Sequence, residues 1–236
     1  MLVPVGHTVG IKLFADGVMV VGLSNINTGG ASFSPAKLGG IREGDLITHI
    51  GSEKITSTEQ VIELVSKCGG SGLNVRYKRA GHESQTKIEP VKSENDGVYR
   101  IGAWIRDSMG GIGTVTFYDP ESGVFGALGH GINDVDTSIL MPLQKGSIMH
   151  STVSAVRKGS AGAPGGLEGS FNLLKDAGTL YLNSDCGIFG IMKHGAAWEG
   201  SAIPVASGKD VRKGSAIILA NIEDDIVGEY TIEIEK

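Results

Sequence analysis

Basic clusters are missing from this 236-residue chain. Its 21 Lys and Arg face 26 Asp and Glu, for a net charge of −5, and nowhere gather into a stripe. That argues against a nucleic-acid partner. No stretch approaches the ~18 consecutive apolar residues of a membrane span, and no signal peptide opens the sequence. Cysteine is scarce: Cys68 and Cys186 stand far apart with no C-x-x-C. A zinc site is therefore not expected, and two buried thiols are expected rather than a disulfide. The histidines show no H-x-H or H-E-x-x-H spacing, so neither a metal nor another cofactor is called for. Helical periodicity is absent after Gly97.

Glycine, by contrast, is plentiful, at 37 residues, about twice its usual ~7% share. No G-X-Y period runs through it, which excludes collagen and points to many tight turns between short strands. Hydrophobic residues make up 40%, enough for a real core. Val9 to Phe14 reads as a strand, Asp16-Gly17 as a hairpin turn, and Val18 to Gly22 as a second, buried strand. Ser34 to Gly40 reads as a helical turn ended by glycine. Ser57 or Thr58 can cap a helix whose apolar face carries Val61, Ile62, Leu64 and Val65, with Gly69-Gly70 to stop it. Leu73 to Arg79 alternates as a strand, and Thr86 to Val91 pairs back on it. The polar run Lys92 to Gly97 marks a domain boundary, dividing the chain into 1–92 and 98–236. Beyond it, short strand candidates recur at roughly 8–12-residue spacing, the pattern of a barrel or sandwich.

Ahead of that boundary, Gly40-Ile41-Arg42-Glu43-Gly44-Asp45-Leu46-Ile47 carries a G-I-x-x-G-D-x-I pattern, followed by a helix at a suitable distance. Residues 7–91 resemble a bacterial PDZ domain of the kind attached to proteases. Such a module binds an extended peptide by adding it to a sheet edge beside a helix. The resemblance implies that the backbone around Val9, Gly10 and Ile11 meets a peptide carboxylate, and that Val61 and Val65 lie along the groove. Each of these apolar residues reads equally as plain core. His7 and His49 read as ordinary strand or surface histidines.

After the boundary, a single histidine stands out. His130 lies between Gly129 and Gly131, just after the apolar run Phe125-Gly126-Ala127-Leu128. Glycines there let other backbone approach the imidazole, and a histidine at a strand end is well placed as a general base. A structural histidine is the alternative. The surrounding residues then form two long motifs. Arg100 to Tyr118 contains R-I-G-x-W-I-R-D-S-x-x-G-I-G-T-x-T-F-Y, and Phe125 to Thr137 contains F-G-A-L-G-H-x-I-x-D-x-D-T. Together with the upstream PDZ-like segment they resemble the SpoIVB family of sporulation serine peptidases. The resemblance covers nearly the whole chain.

That resemblance implies a mainly β molecule: an α+β PDZ domain followed by a chymotrypsin-like β-barrel peptidase domain, incomplete in this chain. It implies a serine endopeptidase, with His130 as base, acting in sporulation signalling. Its substrate would be a membrane-bound regulatory protein whose cleavage leads to activation of a late mother-cell sigma factor. The PDZ domain would engage peptide segments, including the enzyme's own. The family member would be exported and membrane-associated, between forespore and mother cell.

The family's nucleophile, in a Gly-Met-Ser-Gly-Ser-Pro run, and the aspartate shortly before it do not occur in these residues. The chain therefore reads as a fragment or a short variant, with hydrolysis near absent on its own. Ser160, in Lys158 to Pro164, faintly echoes a protease serine motif but follows His130 too closely to come from a second barrel. Asp134 and Asp136 are candidates for the acid that orients the imidazole, or, with His130, for a metal-dependent hydrolase. A non-catalytic peptide-binding protein is the main rival reading.

Overall fold

The computed structural model describes residues 1–195, 198–223 and 226–235. In chain order the first elements are strands β1 (Val3–Pro4), β2 (Thr8–Leu23), β3 (Ile26–Thr28) and β4 (Ala31–Phe33), then helix α1 (Pro35–Leu38). Strands β5 (Leu46–Ile50) and β6 (Glu53–Lys54), helix α2 (Thr58–Lys67), and strands β7 (Leu73–Arg79) and β8 (His82–Ile88) follow. The rest is all strand: β9 (Val91–Lys92), β10 (Tyr99–Arg100), β11 (Ala103–Tyr118), β12 (Val124–Ala127), β13 (Lys145–Arg157), β14 (Gly166–Ser184), β15 (Gly187–Met192), β16 (Gly214–Glu223) and β17 (Ile226–Ile234). The molecule is mainly β, as the turn-rich sequence and the family resemblance both imply.

The compact units do not follow one another along the chain. One unit comprises Met1–Leu13, Gly110–Ile132 and Lys145–Lys236; the other comprises Phe14–Met109 and Asn133–Gln144. Strands β2 and β11 contribute residues to both.

In the first unit the strands run β11-β12-β15-β14-β13-β2, and β2 pairs in turn with β11. The ring is closed, a six-stranded barrel without a free edge. The buried Phe125 side chain fills its interior opposite two glycines. A Cβ on Gly190 would lie 2.5 Å from the Phe125 ring, and one on Gly178 would lie 2.9 Å from it. Small residues on β14 and β15 are thus what admits a large one on β12. Strands β13 and β14 continue as a long ribbon from Gly146↔Leu180 to Arg157↔Gly166. Strands β16 and β17 form a separate antiparallel pair.

The second unit holds the helices. Its sheet runs β2-β5-β7-β8, with Val18 and Met19 of β2 opposite Ile47 and Leu46. Its core gathers Val18, Val20, Ile41, Ile47, Ile55, Val61, Val65, Ile88 and Ile101. Ser57 caps α2, its Oγ accepting from the Gln60 amide at 3.3 Å. Val61 and Val65 are buried, but Ile62 is 62% exposed, so the buried face is narrower than the sequence suggests. Asp45, in the G-D pair, is buried; it accepts from the Arg42 amide at 2.8 Å and from two nitrogens of Arg79 at 2.7 Å.

Three expectations are corrected. Asp16-Gly17 makes no hairpin, because β2 continues through it for 16 residues. Gly17 takes φ +139, and a Cβ there would lie 2.4 Å from the Ile47 carbonyl oxygen. The glycine serves close approach of β5, not reversal. Strand β11 likewise runs for 16 residues, longer than the short strands expected beyond the boundary. Neither cysteine is fully buried: Cys68, at the end of α2, is half-buried and Cys186, in the β14–β15 turn, is exposed.

Candidate active site

His130 follows β12 in the barrel unit. The strand register ends at Ala127↔Ile188, and the chain then turns sharply. The Gly129 amide donates back to the Ala127 carbonyl at 3.0 Å, with Leu128 between them at φ +72. This is a γ-turn with its central residue at positive φ, the rare and strained form. A branched side chain held there is an outlier of the kind that clusters at functional sites. The Leu128 amide is tied to the Thr114 carbonyl of β11 at 3.0 Å, which fixes the turn to the barrel wall. Gly129 continues at φ +83, and His130 emerges exposed to solvent.

Both flanks of the turn are held. On one side Gly187, at φ +141, lets the start of β15 reach it; a Cβ there would lie 2.9 Å from the Ala127 oxygen and 3.4 Å from the Gly129 nitrogen. On the other, the Ile132 amide donates to Asn183 Oδ1 at 2.9 Å and the Ile132 carbonyl accepts from Asn183 Nδ2 at 2.9 Å. His130 Nδ1 lies 2.8 Å from the Gly131 carbonyl oxygen. Chemically, this presents an imidazole with one nitrogen engaged by backbone and the ring accessible, the arrangement a general base needs.

Asp134 and Asp136 are taken up by Arg106 and the Thr137 turn, an arrangement that gives no support to a role as orienting acids or metal ligands. Asp134 is buried, and its Oδ1 accepts from the Asp136 amide at 3.1 Å, the Thr137 amide at 2.9 Å and the Thr137 hydroxyl at 3.0 Å. Its other oxygen pairs with Arg106, which also holds Asp136 at 2.8 Å. Burial pushes the Asp134 carboxyl up, but the Thr137, Arg106 and Asp136 hydrogen bonds outweigh it and hold it below the usual carboxylate range. Burial alone would lower the Arg106 guanidinium, yet the two aspartates keep it above its ordinary value. These groups close a loop of the second unit. Ser160 stands at the tip of the β13–β14 ribbon, exchanging backbone hydrogen bonds with Ala163 at 2.8 and 2.9 Å, where it acts as a turn residue.

The residues expected to bind peptide fall into different units. Val9 and Ile11 are buried in β2 within the barrel unit. A Cβ on Gly10 would lie 2.2 Å from the Phe171 ring, so this glycine makes room for an aromatic side chain. The assignment of 9–11 to a carboxylate-binding loop is corrected: they lie within β2, a strand of the closed ring. Val61 and Val65 sit in the second unit, where with Thr58, Ile62, Ile101 and Trp104 they line a 640 Å³ groove beside α2. His49 is a half-buried strand residue next to the Thr48 hydroxyl, at 3.1 Å. His7 stacks on Trp198 with ring centroids 5.6 Å apart.

Asn183 carries no sequence signal of a role near the site, whereas Leu128 and Arg106 stand within the two long motifs without being singled out there.

A PDZ domain family model matches residues 28–79. Among solved structures, the PDZ domain of the SdrC-like protein from Listeria monocytogenes is 25% identical over 38% of this chain and 87% of that one, with a TM-score of 0.31. The model of the SpoIVB peptidase S55 family matches residues 97–236, the segment that carries both long motifs and the His130 turn. The chain belongs to the SpoIVB peptidase S55 family, with a PDZ domain ahead of the peptidase segment.

Proposed function

We propose that this protein supplies the PDZ domain and the histidine-bearing barrel of a serine endopeptidase that acts in sporulation signalling, with His130 as general base. Its substrate is a membrane-bound regulatory protein whose cleavage leads to activation of a late mother-cell sigma factor. It works exported and membrane-associated, between forespore and mother cell. The observation that carries the reading is the strained, doubly held turn that presents His130 at the barrel surface. The Gly-Met-Ser-Gly-Ser-Pro run that carries the family's nucleophile does not occur among these residues.

The test is His130→Ala in the full-length gene product. Loss of at least a hundredfold in peptide cleavage, with the fold intact by circular dichroism, is expected for removal of a general base. Wild-type rates in that variant would refute the proposal. The groove beside α2, with Val61 and Val65 at its base, supports a second, compatible reading as a peptide-binding module. Val65→Lys is expected to weaken binding of peptides from the enzyme's own sequence at least tenfold by fluorescence anisotropy. A fully folded variant with unchanged binding would remove that reading.

A further inference from the structure

We infer that Asp107 is a specificity-determining residue of the groove beside α2: its hydrogen bonds to Thr58 close one end, limiting the peptide taken there to about three residues. The inference rests on the second reading, of that groove as a peptide-binding site. One wall is α2, through Thr58, Val61 and Val65; the other is the chain from Tyr99 to Ile105. Beyond Ile105 the two walls are joined. Asp107 Oδ2 accepts from the Thr58 amide at 2.9 Å and from the Thr58 hydroxyl at 3.3 Å. Thr58 is the first residue of α2, so the bridge stands at the start of the helix.

The strand pattern puts a carboxylate there. Ala103 and Ile105 pack against the core of the second unit, whereas Trp104 is 67% exposed. Side chains alternate along a strand, so Asp107 continues the face of Ala103 and Ile105. A third apolar residue would extend the floor of the groove; Asp107 instead reaches across to the helix. Strand β2 pairs with β11, and just past its end the Ser24 amide donates to the Gly102 carbonyl at 3.0 Å. One edge of β11 is thus occupied at its start. A peptide that adds to this strand must use the edge toward α2, and there it meets the Asp107–Thr58 bridge.

The opposite end of the groove offers donors. Ile101 and Gly102 are buried, and their carbonyls accept from the Ala36 amide at 2.7 Å and the Ser24 amide at 3.0 Å. Their own amides have no acceptor among the described residues. Buried N–H groups without a partner are rare, and two in succession at the end of a groove suit a carboxylate. The occupant is therefore the C-terminal end of an extended peptide, its carboxylate at these amides and its chain running toward Asp107. From Thr58 to Val65 the helix rises about 10 Å, the length of about three extended residues. Residues further from the carboxylate are turned out of the groove.

The test reads the dependence of binding on peptide length. Fluorescein-labelled nonapeptides whose last three residues vary among Val, Ile, Leu and Phe are titrated with the 236-residue chain, and the tightest binder by anisotropy is compared with its own C-terminal tripeptide by competition. The wild type is expected to bind the two within threefold of each other, and to bind the C-terminally amidated nonapeptide at least tenfold more weakly than the free acid. Asp107→Ala is expected to favour the nonapeptide over the tripeptide by more than threefold, because the slot then continues past Thr58. Asp107→Asn, which can still accept from Thr58, keeps the two within threefold. A loss of helix stability alone would weaken both peptides together and leave their ratio unchanged. A wild-type preference for the nonapeptide above threefold overturns the inference, as does equal binding of acid and amide, or a folded Asp107→Ala chain that keeps the wild-type ratio. If Asp107→Ala does not fold, transferred nuclear Overhauser effects on the wild type decide: contacts confined to the last three residues are expected, and contacts from residues further back overturn the inference. Binding that Val65→Lys abolishes but whose length dependence ignores Asp107 refutes this inference alone, whereas no binding by any nonapeptide refutes the peptide-binding reading with it.

Discussion

Gly187 tightens the His130 turn by lacking a side chain. At φ +141 with backbone 2.9 Å from where a Cβ would stand, Gly187→Ala has no unstrained solution. It should destabilise the barrel by about 1–3 kcal/mol, seen as a lower thermal midpoint, and shift the backbone resonances of 127–131. An unchanged midpoint and spectrum would show that the turn does not depend on this contact. Asp134 governs a different loop. Its carboxyl is held below the usual range, so its contribution to stability is complete above the unfolded-chain value of about 3.9. That contribution is lost as pH falls through the lower folded value. Asp134→Asn should therefore be less stable than wild type at pH 7, by urea denaturation, and the gap should narrow as the pH falls below about 4. His130 and its flanking glycines were legible in the sequence, because they stand in a long motif. Asn183 was not, because its partner is 51 positions away and an asparagine beside a strand end looks like any turn residue.

At the scale of elements, α2 is held at its first turn by more than its own cap. Asp107 of β11 accepts from the Thr58 amide at 2.9 Å and from the Thr58 hydroxyl at 3.3 Å. A carboxylate at a helix N-terminus satisfies an otherwise unpaired donor and complements the helix dipole. Asp107→Ala should cost about 1 kcal/mol, and hydrogen exchange should accelerate first at Thr58 to Val61. Equal acceleration throughout the unit would argue against a local role. The helix itself was readable from its cap, its apolar spacing and its terminal glycines. The course of the chain through Asp16-Gly17 was not, since turn chemistry in the sequence is the same whether the chain reverses or a neighbouring strand needs the space. Pairing of β2 with β5 selected the second outcome. The long β11 runs through Gly110-Gly111 without reversing.

At the scale of the whole molecule, the first 13 residues belong with the barrel. The amides of Val5 and Gly6 donate to the Thr116 and Val115 carbonyls at 3.0 and 2.9 Å, and the Asn221 amide donates to the Gly6 carbonyl at 3.0 Å. Thr8 adds a buried hydrogen bond to Asn221 Oδ1 at 2.8 Å. Removing residues 1–13 should open the ring at β2. The emission of Trp198, which stacks on His7, should move to the red, and the cooperative unfolding of the barrel should disappear. Slow exchange should persist at core amides of the second unit, such as Ile47 and Val75. Retention of a cooperative barrel transition would mean that the ring closes without this strand.

Local chemistry was enough for the strand-rich class, the capped helix, the G-D motif and the histidine between two glycines, because each depends on neighbours within a few residues. The two long motifs extended that to the family. The tertiary structure alone decided which strands close the ring, which side chains the glycines make room for, and what holds the His130 turn. Those depend on pairings between segments tens to hundreds of residues apart, and a linear pattern of apolar and polar residues carries no register between them.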